Sequence, residues 1–438
     1  MEKLLLLVNL GFKYLSRYRR RYVFLFAALV FCFAIVTFIT SSKDGMYRNV
    51  YYTAQSHYAG DVVAVGYNKD ITVTHHISAD LTRSFLNTVK DSGANPVNIV
   101  KRTFLGNMGV VYFNGKPVVQ RYVIGCDWES EKDIFSMMDF SSPVTKPLGD
   151  DSIIISAPVA KQLNAAAGDI VILEVENKWG QKNTGQFIVA GIVQDSTIFG
   201  YFKVYISRLS LNRLLLFEDD DCSLIGLFFE NSSDLEKNRS IIHNAMSGKI
   251  QTDRLVYDRD GMNDVLKEPW EWEGTNLMLF TLPVYLSEIA SLMNAMDLLS
   301  YLLYGMMLII ILVSASVTYR LILHERTREM GVMRAIGFYG SDLRMVLWTE
   351  ITILGIISII AGFMLSLLFS FASSFISFSW FPSFEIFLRN GKLTALYLPG
   401  TVLFNIVITL LVLIISVFIP SMRASNKNLP SLLSGEPL

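Results

Sequence analysis

Four long apolar runs punctuate this chain, separated by polar stretches of very unequal length. Tyr22 to Thr40 is an uncharged run of 19 residues, and Leu298 to Tyr319 is another of 22. A third begins near Met345, and a fourth begins near Pro399 and closes at Pro420. A helix of about 20 apolar residues crosses the hydrocarbon core of a bilayer, so each run can span. Between the first and second runs the texture is that of a folded, water-exposed domain. Gly60 to Val65, Ile153 to Ile155 and Asp169 to Val175 are apolar-rich, alternate with turn residues and read as strands. Ala79 to Lys90 and Ser233 to Ser247 read as amphipathic helices. Pro143, Pro147 and Gly149 cluster between Ser141 and Asp151, which places a lobe boundary there. Leu277 to Asp297 is helical in pattern despite Glu288 and is expected to carry the second span outward as a stalk.

The pattern predicts a membrane protein of four transmembrane α-helices, with a large α+β domain inserted between helices 1 and 2. In chain order it gives an amphipathic helix over 1–21, a first span over 22–41, the domain with its stalks over 42–295, and a second span over 296–319. A loop over 320–344, a third span over 345–375, a loop over 376–397, a fourth span over 398–420 and a tail over 421–438 follow.

Charge orients these segments. The loop between the second and third spans carries Arg320, Arg326, Arg328, Arg334 and Arg344, and such loops stay in the cytoplasm. Residues 1–21 hold six lysines and arginines against one glutamate, whereas residues 42–295 hold 23 against 31 acidic residues. Both termini are therefore expected inside and the large domain outside. A basic inner face and an acidic outer domain follow from insertion physics, so no nucleic-acid partner is needed. Leu10, Tyr14 and Leu15 give the first helix an apolar side, and Arg17, Arg19, Arg20 and Arg21 anchor it at anionic headgroups. A cleaved signal peptide fits less well, because the apolar core is too long and no A-x-A-like site closes it. Of the three cysteines, Cys32 lies in the first run, and the spacing of Cys126 and Cys222 leaves their pairing open.

Candidate chemistry is sparse. The chain has no G-x-x-x-x-G-K-[ST], H-E-x-x-H, C-x-x-C or G-x-S-x-G, so no enzyme, resident cofactor or metal is expected. His75 and His76 are adjacent and would point to opposite faces of a strand. Glu218 to Asp221 reads as a solvated acidic loop, since EF-hand spacing is missing. Glu350 is expected at the inner membrane interface near Arg344, the other reading being a partner inside the bundle. Gly355 and Gly362 lie seven apart on one helix face, a spacing that suits close helix packing. Trp270 and Trp272 are expected at the outer interface or packed on the stalk, the other reading being contact with cargo.

One charged island carries a resemblance. Glu325-Arg326-Thr327-Arg328-Glu329-Met330-Gly331, then Arg334-Ala335-Ile336-Gly337, then Glu350, is similar to the cytoplasmic signature of FtsX-like ABC permeases. These are the four-span subunits of the MacB, FtsX and LolC/LolE group. Ile153 to Leu163, Gly168-Asp169 and Val189 to Val193 resemble the family's MacB-type periplasmic core domain, and Pro420, Arg423 and Ala424 resemble its usual close. The lack of a fused ATPase, the size of the outer domain and the span count bring the chain nearest the LolC/LolE-like transmembrane subunits of lipoprotein-releasing systems. Trp270 to Phe280 resembles a segment before the second span in that class.

The resemblance implies the permease subunit of a type VII, mechanotransmission ABC transporter in the bacterial inner (cytoplasmic) membrane. Its expected cargo is a lipoprotein or another lipid-anchored molecule. A signalling permease that activates a periplasmic partner is an alternative, as is an efflux component for toxic small molecules or peptides. Expected partners are a separate ABC ATPase subunit that binds the ATP, a second permease copy or paralogue in a dimer, and a periplasmic chaperone or adaptor. Glu325, Arg326, Arg328, Glu329, Met330, Met333, Arg334, Ile336 and Gly337 would form the ATPase-docking coupling helix, with the methionines and Ile336 as apolar anchors. Phe33, Val36 and Phe38 on the first span and Tyr304 and Met307 on the second would line the cargo path.

Overall fold

The computed structural model describes residues 19–144, 147–194, 202–230, 234–267, 272–378, 380, 384–389 and 391–425. The helix expected over 1–21 therefore lies outside the described residues as far as residue 18, as does Trp270. The chain divides into two compact units, one of Asn49–Ser291 with Phe381–Ile386, the other of Met1–Arg48, Leu292–Trp380 and Phe387–Leu438.

The first unit begins with the last turns of α1 (Arg19–Tyr58) and is built on one 10-stranded sheet. In chain order come β1 (Val62–Asn68), α2 (Ala79–Ser92), β2 (Asn98–Phe113), β3 (Lys116–Cys126), α3 (Lys132–Met137), β4 (Phe140–Ser142) and β5 (Ser152–Ser156). Then follow α4 (Ala157–Leu163), β6 (Ile170–Glu176), β7 (Lys182–Val193), β8 (Lys203–Ser207), α5 (Arg208–Leu215) and β9 (Leu224–Phe228). The unit closes with α6 (Leu235–Met246), α7 (Arg259–Lys267) and β10 (Thr275–Thr281). The strand order is β10-β1-β9-β2-β3-β8-β5-β7-β4, with β6 pairing β2 and β7.

The three expected strands and two expected helices of this region are present as β1, β5, β6, α2 and α6. Two expectations are corrected. Thr275 to Thr281 is not the start of a helical stalk but β10, antiparallel to β1 along all seven residues, and the helix starts only at Leu282. A short apolar run has no periodicity to separate strand from helix, and here the neighbouring β1 decides. The lobe boundary does not fall at Ser141 to Asp151 either. Phe140 and Ser142 pair with β7, and so does β5 on the other side of that turn. The seam is instead the 16-residue β2, whose Asn98–Arg102 part pairs β9 while the remainder pairs β3. On one side of it Val62, Ile77, Phe85, Ile225 and Ile242 form a core, and on the other Leu105, Val123, Ile155, Val204 and Leu211 form a second. A Pro/Gly cluster marks a turn; a seam in mid-strand leaves no such mark.

The second unit is helical. It holds the first part of α1, most of α8 (Leu282–Glu325), then α9 (Thr327–Ala335), α10 (Gly340–Ser373) and α11 (Pro399–Ser425). Among the described residues, four helices are long and apolar enough to cross a membrane: Tyr22–Tyr58, Ile289–Glu325, Gly340–Ser373 and Pro399–Met422. At 1.5 Å per residue the 44 residues of α8 extend about 66 Å, roughly twice the hydrocarbon thickness. Burial gives no hydrophobic drive between helices within lipid, so close packing and interhelical hydrogen bonds set their arrangement. Gly362 of α10 shows the first: a Cβ there would lie 2.8 Å from the Val30 carbonyl oxygen of α1, with Phe33 at 3.1 Å. At Gly355, seven residues earlier, a Cβ would meet Leu413 of α11 at 2.8 Å. Hydrogen bonds supply the second, as from Ser316 Oγ to the Ser416 carbonyl (2.7 Å) and from Asn405 Nδ2 to Thr40 Oγ1 (2.9 Å).

Candidate functional site

The charged island folds into α9, a short helix held between two breaks. Thr327 to Ala335 contains good helix formers and no proline, so a helix is its default. Arg326 alone separates it from α8, with φ −98° and ψ 6°. Thr327 Oγ1 donates back to the His324 carbonyl at 2.8 Å, taking up one of the orphan acceptors at the end of α8. At the other end Gly337 has φ +102°, a conformation only glycine adopts without strain, and it turns the chain into α10. Asp342 accepts from the Tyr339 backbone N–H at 3.2 Å and caps the new helix.

The two faces of α9 differ. Arg326, Met330 and Met333 are buried, and both methionines join a core with Leu25 and Leu29 of α1, Tyr319 of α8 and Leu347 of α10. Val332, Ile336 and Tyr339 are exposed by 51, 72 and 73%. Arg328, Glu325 and Gly337 are also exposed, and Glu329 and Arg334 are half-buried. The expected apolar anchors therefore divide: Ile336 faces outward, whereas Met330 and Met333 point into the bundle. Val332, which the sequence reading passed over, completes the outward apolar stripe four residues before Ile336, and that helical spacing was the available signal. Tyr339 is exposed beyond the Gly337 turn, at the start of α10.

Arg326 likewise turns inward. Its Nη1 donates to both oxygens of Glu350 at 3.0 Å, and Glu350 is fully buried. Tyr22 Oη of α1 donates to Glu350 Oε1 at 2.7 Å, and Tyr319 Oη donates to the nearby Leu347 carbonyl at 2.9 Å. The expectation of an interfacial carboxylate near Arg344 is thus corrected. A carboxylate in the bundle is costly unless paired, and here a guanidinium and a phenol both reach it. Glu329 offers Arg326 a second, looser ion pair at 3.6 Å.

The five residues expected to line a path between the first two spans are not brought together. Phe33 and Val36 are buried, and Phe33 packs on Gly362 of α10. Phe38 meets Phe369 of α10 edge-on at 6.1 Å. Tyr304 stacks on Phe404 of α11, and Met307 packs against the inner core. Phe33, Phe38 and Tyr304 therefore pack on the third and fourth spans.

In the sheet unit His75 and His76 diverge as expected. His75 lies against Tyr67 and Phe104, and burial lowers its pKa to about 4. His76 Nε2 contacts Asp221 at 2.9 Å. Asp221 is buried, not part of a solvated loop, and accepts from the backbone N–H groups of Ala79 and Glu218. Burial pushes its carboxyl up, but the His76 and backbone hydrogen bonds outweigh it and hold the pKa below the usual range. Cys126 and Cys222 are both free and buried, and burial raises the Cys222 thiol to about 11. Trp272 packs against a core that includes Val65 and Met278. A second buried ion pair, unforeseen in the sequence, joins Arg102 to Glu131.

Of the comparisons with known proteins, the family model bears on the island. No curated protein matches the chain. Among solved structures, it is similar to the periplasmic region of MacB from Actinobacillus actinomycetemcomitans at 11% identity, covering 54% of this chain and 95% of that one, with a TM-score of 0.31. It is similar to a domain assigned to a permease protein of Porphyromonas gingivalis at 11% identity, covering 51% and 89%, with a TM-score of 0.26. Scores this low define no common fold by themselves. Residues 301–429, which contain the later part of α8 and all of α9, α10 and α11, match the family model described as FtsX-like permease C-terminal. That segment is similar to the C-terminal part of FtsX-like permeases.

Proposed function

We propose that this chain is the permease subunit of a type VII ABC transporter that extracts lipoproteins, or other lipid-anchored cargo, from the outer leaflet of the bacterial inner membrane. The observation that carries the reading is the family match over 301–429, which includes α9 with Val332 and Ile336 in an outward stripe and Tyr339 exposed beyond the Gly337 turn. A separate ATPase docks on that stripe, with Arg328 and Arg334 around it. Two copies, or one copy and a paralogue, stand over the ATPase pair. The sheet unit, inserted between the first and second spans, lies on the outer side, and both termini lie in the cytoplasm.

The physics suits a mechanical device. An acyl chain of about fifteen methylenes is retained in a bilayer by roughly 12 kcal/mol, and a triacylated anchor by a multiple of that. Departure without work is negligible, and the cargo needs an apolar shelter instead of a pore. The test is ATPase activity of the chain co-purified with its ATPase in nanodiscs, with and without a triacylated lipoprotein. Stimulation together with release to a soluble acceptor establishes extraction. A rate indifferent to lipoprotein removes the cargo and favours a signalling permease.

A further inference from the structure

The joint between α8 and α9 is a single residue, and the side chain of that residue is committed elsewhere. Arg326 is 3% exposed and reaches across to α10, where Nη1 spans both oxygens of Glu350 at 3.0 Å. Tyr22, at the inner end of α1, donates to the same carboxylate at 2.7 Å. One buried anion therefore gathers three elements: the α8–α9 joint, α10 and α1. Bending α9 about Arg326 would pull the guanidinium away and leave Glu350 unpaired in the bundle, which is strongly disfavoured. Glu329 is no substitute, because it sits on α9 itself, 3.6 Å from Arg326 Nε with a side chain 37% exposed. Met330 and Met333 wedge into the same core and oppose the same motion.

We propose that Arg326, Glu350 and Tyr22 are positioning residues that lock the cytoplasmic helix to the bundle. A load applied to α9 then reaches α1 and α10 together instead of bending the joint. The inference rests on the reading of α9 as the ATPase-docking helix, and it takes Arg326 out of the docking surface and makes it a latch.

Spin labels at Phe24→Cys on α1, where the side chain is 83% exposed, and at Ala335→Cys, exposed on α9, report the geometry of the lock. The three native cysteines are buried and are replaced by alanine to remove background. Pulsed distance measurements are made on the full chain with its ATPase in nanodiscs, free of nucleotide and trapped with ATP. The lock predicts one narrow distance that changes by no more than about 2 Å between the states. Glu350→Gln broadens it, and the exchange Arg326→Glu with Glu350→Arg narrows it again. Should Glu350→Gln fail to fold, Tyr22→Phe removes one oxygen and serves in its place. A shift of about 5 Å or more in the unaltered chain overturns the proposal, as does an unbroadened distance in Glu350→Gln. Failure of the ATPase to co-purify with the unaltered chain sinks the docking reading instead. The broadening measured on the permease alone then still decides for or against the lock.

Discussion

Among the described residues each unit buries an arginine–glutamate pair, Arg102 with Glu131 and Arg326 with Glu350, and the two are built differently. Arg102 spends its guanidinium in three directions. Nε and Nη2 hold Glu131, and Nη1 donates to the carbonyls of Ser56 and His57, the last turn of α1, at 2.8 and 3.0 Å. Arg326 turns Nη1 onto both oxygens of Glu350 at 3.0 Å. The first pair is a saturated socket that also satisfies the end of a helix. The second is a latch, whose carboxylate also accepts from Tyr22 of α1. Burial alone says little about a charge pair; the number of other groups that depend on it says what its loss would do.

Breaking each pair measures that difference. Arg102→Ala strands a buried carboxylate and two helix-end carbonyls, and is expected to cost about 3–5 kcal/mol. Thermal unfolding of the full chain in nanodiscs reads this directly, and a loss near zero would show that the socket bears no load. Acid offers a second contrast, confined to the sheet unit. His75 is held neutral with a pKa of about 4 against 6.5 in the unfolded chain. The unfolded state therefore binds the proton first, and stability falls as the pH drops from about 6.5 to 4, by at most about 3 kcal/mol. Amide exchange in β1 should quicken over that window, and His75→Phe should abolish the acceleration. Glu350→Gln keeps a partner for Tyr22 but loses the charge, for an expected cost of about 1–3 kcal/mol by the same unfolding measurement. A cost equal to that of Arg102→Ala would erase the distinction between socket and latch. Smallest of all, Ile336→Asp on the exposed stripe should leave stability within about 0.5 kcal/mol while abolishing co-purification of the ATPase.

How much of this was legible in the sequence varies by element. The four spans announce themselves because a run of about twenty uncharged residues has few other uses. Gly355 and Gly362 disclosed close packing through their spacing, and His75 and His76 diverge because adjacent strand residues must. β10 stayed hidden because Leu277 to Phe280 is apolar without a period, and only pairing with β1 fixes it as a strand. The faces of α9 were ambiguous for another reason. Met330 and Met333 form one apolar stripe and Val332 and Ile336 another, so no pattern says which is turned inward. Arg326 and Glu350 are separated by 24 residues and a helix reversal, and Tyr22 is 328 residues from Glu350. Their meeting depends on tertiary packing that local sequence does not encode. An acidic residue inside an otherwise apolar run was the one clue, and it marks a need for a partner without naming it.

Gly362 carries a consequence best put in genetic language. Nineteen of the twenty encoded amino acids bring a Cβ, and a Cβ at this position would stand 2.8 Å from the Val30 carbonyl oxygen, a backbone atom that has no rotamer into which to retreat. No missense change at this codon is conservative. Alanine, the mildest replacement almost everywhere else in a helix, already forces two helices apart here. A saturation screen for function should therefore read position 362 as a blank column flanked by tolerant neighbours such as Ile360 and Met364, whose side chains are exposed on the same helix.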